Sequence, residues 1–178
     1  KLLLSHEKEV VLEGLNQLYG IRSNNKKILK LLEGLVKHDD EFISISAAYT
    51  LGKQGTPGIK ILLSLMQFND GINVDDARCF IDEGQKSELE MICRNAAHGL
   101  VSSNLKNNDL LIKAFNTGQE RIKKYICFIF GEIFSNSKKI IDILIEGCLE
   151  KDPAIRLNAV EALGLKRCRK KEIDIIEK

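Results

Sequence analysis

The chain has 178 residues, enough for one sizeable domain, with 44% apolar and 29% charged residues, ordinary values for a globular protein. A net charge of +2 excludes an argument for any partner from bulk charge alone. Two prolines, no tryptophan and 6% aromatics fit repeated helices better than a β sandwich.

Residues Lys1 to Gly20 read as the second helix of a first, partial helix pair. Asn24 or Asn25 caps the next helix, so Asn25 to Lys37 and Glu41 to Lys53 form a full pair across the turn His38-Asp39-Asp40. Gly55-Thr56-Pro57-Gly58 reads as a breaker, followed by a helix over Ile59 to Gln67. Phe68 to Lys86 is an expected insertion, rich in Asp and Glu, with a short extra helix at Val74 to Asp82. Ser87 with Glu90 matches a capping box that starts a helix to Ser102. Asn108 to Phe115 and Gln119 to Phe134 form another pair. Ser137 to Leu149 and Asp152 to Leu165 form the last complete one, with Gly164 near its stop. Glu172 to Ile176 begins a further helix, and both ends are expected to be cut through the stack.

One register runs through the second helices. Ile43, Ile92, Ile122 and Ile155 take its first buried slot, and Ala47, Ala96, Ile126 and Ala159 its second. Leu51, Leu100, Phe130 and Leu163 take the third, with Ala48, Ala97, Cys127 and Val160 beside the second. From Leu18 through Leu51, Leu100, Phe130 and Leu163 the steps are 33, 49, 30 and 33 residues. Self-similarity at such a period marks a solenoid, in which no unit buries its apolar face without neighbours.

Asp152-Pro-Ala-Ile-Arg-Leu-Asn-Ala-Val-Glu-Ala-Leu-Gly164 resembles the second helix of a HEAT-like repeat of the kind found in phycobilisome lyases. Ala47 to Gly55 is similar to the end of the same motif. Arg156 fills the family's arginine position, while Ser44, Cys93 and Lys123 replace it elsewhere. The resemblance implies an all-α fold, a right-handed α-solenoid of HEAT-like helix pairs with one inserted loop, forming a single domain over residues 1–178. It further implies that the second helices line a concave binding side.

The outward positions follow from helical spacing. They are Ile45, Ser46, Tyr49 and Lys53, then Arg94, Asn95, His98 and Ser102, then Lys124, Tyr125, Phe128 and Glu132, then Leu157, Asn158 and Glu161. Tyr49, His98 and Tyr125 form the expected centre of a surface for another protein or peptide. The expected function is non-catalytic macromolecule binding by a scaffold. The alternatives are a bilin-lyase-like subunit or module of an enzyme, and a nucleic-acid-binding HEAT-like protein. The second alternative would use Lys166, Arg167, Arg169, Lys170 and Lys171, a basic run that otherwise reads as a solvated inter-helix turn.

Local motifs propose no catalysis. His6, His38 and His98 have no second ligand at metal spacing, and no phosphate-binding or nucleophile motif occurs. No cofactor is expected. The cysteines, Cys79, Cys93, Cys127, Cys148 and Cys168, are odd in number and contain no CxxC, which reads as packed, reduced thiols of a cytoplasmic protein. No apolar run is long enough to cross a bilayer.

Overall fold

A computed structural model describes residues 1–67, 83–103 and 108–176, with side chains over 1–67, 89–103 and 108–167. The described residues are helical, with no strand, and no helix among them is long and apolar enough to cross a membrane. The elements are a 3-10 turn (Leu2–Leu4), α1 (Lys8–Tyr19), α2 (Lys26–Val36), α3 (Glu41–Lys53), α4 (Thr56–Gln67) and α5 (Glu83–Ser102), followed by α6 (Asp109–Thr117), α7 (Glu120–Glu132), α8 (Lys138–Cys148) and α9 (Pro153–Ile176). The chain divides into two compact units, Lys1–Ser103 and Asn104–Lys178.

In the first unit α3 is the hub, packing on α1, α2, α4 and α5. Asp40 starts it by accepting from the amides of Phe42 and Ile43 at 3.0 and 3.2 Å. Lys8 of α1 reaches the other carboxylate oxygen at 2.7 Å. That hydrogen bond is the largest influence holding the Asp40 carboxyl below its ordinary 3.8, ahead of an opposing desolvation effect. Ile43, Ala47 and Leu51 line one face and are buried, as are Ile92, Ala96 and Leu100 on α5. Gly52 lets α5 come close, since a Cβ there would fall on the carbonyl oxygen of Gly99. Ser44 lies with Asn95, and Lys53 with Ser102, so α3 and α5 run in the same direction.

Two expected boundaries move. Gly55 takes a φ of 71°, and this one residue turns the chain. Helix α4 then starts at Thr56 and not at Ile59, because Pro57 suits a helix's first turn, where its missing N–H costs nothing. Helix α5 starts at Glu83, so Ser87 lies inside it rather than at its N-cap position. Glu83, Gln85 and Lys86 are good helix formers and extend it upstream. The rest of the expected insertion, 68–82, including the extra helix at Val74 to Asp82, lies outside the described residues.

In the second unit α7 packs on α9, α6 and α8. Phe115, Ile126, Ile129, Phe130 and Leu144 fill its core. Each buried side chain of this size contributes roughly 1.5–3 kcal/mol. Gly147 of α8 meets Cys127 Sγ and the Ala159 methyl at 2.9 and 3.0 Å from where its own Cβ would be. Asp152 accepts from the Ala154 amide at 2.7 Å, and Arg156 donates to the carbonyls of Glu150 and Lys151 at 3.0 and 2.6 Å, closing the α8–α9 turn.

Gly164 does not stop α9, and Glu172 to Ile176 belongs to this same helix rather than to a further one. The residues after Gly164 find partners only if the helix continues. Leu165 packs against Gly131, and Lys166 donates from Nζ to the Ile133 carbonyl at the end of α7. Leu163 is half-buried and Val160 exposed, unlike their register mates.

Candidate functional site

In the first unit α1 and α3 flank a groove of about 310 Å³. Leu12, Leu15, Asn16 and Tyr19 come from α1, spaced to share one helical face. Ser46, Tyr49 and Thr50 come from α3. Leu15 is buried and forms the floor, whereas Tyr19 is 41% exposed at the rim and Tyr49 is half-buried. The Thr50 hydroxyl donates inward to the Ser46 carbonyl at 2.8 Å. Lys53 holds its Nζ 5.4 Å from the centre of the Tyr19 ring while donating to the Ser102 carbonyl at 2.5 Å. The arrangement suits an apolar or aromatic side chain of a ligand, with polar groups around it to fix orientation.

The groove contains Tyr49 and Ser46 of the expected outward row, and Lys53 stands beside it. Its α1 half is not part of that row. The signal for it is present in the sequence, since Leu12 and Asn16 lie 33 residues before Ile45 and Tyr49.

The other expected residues of this unit fare differently. Arg94 is exposed and pairs with exposed Glu41 at 3.2 Å, a surface pair worth little. His98 is half-buried. Asn95 is a correction: it is 1% exposed and faces α3, donating from Nδ2 to Ser44 Oγ at 2.8 Å. Ser44 in turn donates to the Val36 carbonyl at 2.5 Å. The asparagine therefore fastens two helices together and is not available to a ligand.

In the second unit Lys124, Tyr125, Phe128 and Glu132 are half-buried on α7. Lys124 Nζ lies 4.8 Å from the centre of the Tyr125 ring. Asn158 donates to the Lys124 carbonyl at 3.1 Å, so it too joins neighbouring helices, while Glu161 is exposed. The basic run lies within α9 and not in an inter-helix turn. Its first member is corrected outright, because Lys166 is 4% exposed and its amine is engaged by Ile133. Arg167 is exposed, and the side chains of Arg169, Lys170 and Lys171 lie outside those described.

Among the described residues no three His, Cys, Asp or Glu side chains gather as metal ligands. Cys93 and Cys127 are buried and Cys148 is half-buried. Burial, reinforced by Cys148 and Glu150, pushes the Cys127 thiol up to about 12 against an ordinary 9.0, which removes it as a nucleophile near neutral pH. No protein-family model matches the sequence, and no curated protein matches it.

Proposed function

We propose that the chain is a non-catalytic binding module of HEAT-like helix pairs, and that the α1–α3 groove receives a side chain or short segment of a partner protein. The observation that carries this reading is the pair of tyrosines over an apolar floor. Tyr19 and Tyr49 come from different helices, share one concavity with Leu12 and Leu15, and have Asn16 and Ser46 beside them. Partly exposed aromatics around a small pocket are the usual anchors of protein recognition. A right-handed solenoid with its second helices on the concave side, in a cytoplasmic protein, belongs to the same proposal. The nucleic-acid alternative has less support than the sequence offered, because Lys166 is withdrawn from the basic run.

The test is selection of a peptide library on the whole chain, with the strongest binder then measured by calorimetry. Tyr49→Ala and Tyr19→Ala should each weaken it by about tenfold or more, which corresponds to about 1.4 kcal/mol. Lys60→Ala, on an exposed position of α4, is the control and should bind as the wild type does. Equal affinity in all four proteins, with unchanged circular dichroism, would place the binding surface elsewhere.

A further inference from the structure

The α1–α3 groove is neutral, and its polar groups are unevenly committed. None of the side chains that line it is charged. Lys53 stands beside it, but its amine is engaged by the Ser102 carbonyl. Among the described residues the Tyr19, Tyr49 and Ser46 hydroxyls and the Asn16 side-chain amide have no hydrogen-bond partner. Each of these four groups can donate. The Ser46 carbonyl, by contrast, is already taken, since Thr50 donates to it at 2.8 Å. Along α1 the lining runs from Leu12 to Tyr19, which at about 1.5 Å per residue is roughly 10 Å.

We propose, building on the reading of the groove given above, that its occupant is a proline-rich segment of a partner protein in the polyproline II conformation. Hydrogen bonding favours this occupant. A proline keeps its carbonyl and has no N–H, so it accepts from the tyrosine, serine and asparagine donors and asks for no acceptor in return. An ordinary extended peptide brings an N–H with every carbonyl. A helix keeps its own carbonyls bonded internally and offers the donors only side chains. Shape favours the same occupant. Tyr19 and Tyr49 face one concavity from two helices, over the Leu12 and Leu15 floor, and proline rings pack on tyrosine-lined grooves of this kind. At about 3.1 Å per residue, roughly three to four residues of polyproline II cover the length of the groove. That conformation is already populated before binding, so a small site suffices to hold it.

The probe is the strongest binder selected on the whole chain from a random peptide library displayed on phage, then synthesised. It should carry prolines at i and i+3, which the three-residue turn of polyproline II sets on one side. Replacing those prolines by alanine in the peptide should weaken binding by about tenfold or more. Tyr19→Phe and Tyr49→Phe keep the rings and remove the hydroxyls. Each should weaken binding by roughly threefold to tenfold, with circular dichroism unchanged. Binders that depend on Tyr19 and Tyr49 but hold no proline, or tolerate its replacement, would overturn this inference and leave the proposed function standing. Full affinity in both phenylalanine variants would overturn it as well. Proline-rich binders indifferent to Tyr19→Ala and Tyr49→Ala would remove the groove as the site, and this inference with it. A selection that yields no binder would overturn both.

Discussion

Asn95 and Asn158 sit five residues before Leu100 and Leu163, at the same place in the repeat. Each donates to the second helix that precedes it, Asn95 to Ser44 Oγ and Asn158 to the Lys124 carbonyl. Their burial differs, and so should the cost of losing them. Asn95→Ala would strand the buried Ser44–Val36 arrangement and is expected to lower stability by about 1–3 kcal/mol. Asn158→Ala, at a half-buried position where water replaces the lost donor, is expected to cost about 0.5–1.5 kcal/mol. Urea unfolding of both variants checks the order. Helical spacing places both residues outward, and this is where it fails. Successive side chains turn by roughly 100°, so one residue separates the outward face from the lateral face. A polar residue at that edge reads the same from sequence whether it meets solvent or a neighbouring helix. Tyr49 lies on α3 at a position that the same spacing makes outward, and it stands half-buried in the lining of the groove.

At the scale of elements, a helix start is legible where a capping side chain marks it, and not at α4 and α5. Asn25, Asp40, Ser137 and Asp152 accept from first-turn amides, and each stands where its residue type predicts a cap. A stop depends instead on the contacts open to the residues beyond it. Gly55 adopts positive φ and ends α3, whereas Gly164 stays helical because Leu165 and Lys166 have contacts to gain on α7. Glycine has a different task again at Gly52, where it sets the distance between α3 and α5. Gly52→Ala should push the helices apart and lower stability by about 1–3 kcal/mol. Gly34→Ala, inside α2 with no atom within 4 Å of the new methyl, should raise it by about 0.4–1 kcal/mol. Opposite signs in the two thermal shifts are the expected result; a shift in the same direction would refute the steric argument.

At the scale of the molecule, the periodic slots say which residues are buried but not which neighbours share a cooperative unit. The reading of 1–178 as one stack assigns the longest step, between Leu51 and Leu100, to an insertion, and that step falls inside the first compact unit. The contacts divide after Ser103. Ile126→Ala removes a fully buried side chain of the second unit and should cost about 2–5 kcal/mol there. Amide exchange should accelerate in α7 and α9, while α3 and α5 keep their protection. Equal acceleration in all four helices would mean that the two units open together.

That division gives the buried thiols a use as clocks. Cys93 lies at 0% exposure in the first unit and Cys127 at 0% in the second. A reagent that consumes thiols reaches such a group only when its surroundings open, so the rate of modification counts openings. One natural reporter therefore sits in each core, with no dye or engineered label required. Mass spectrometry of the two cysteine peptides would time the two halves of the chain separately, in one sample.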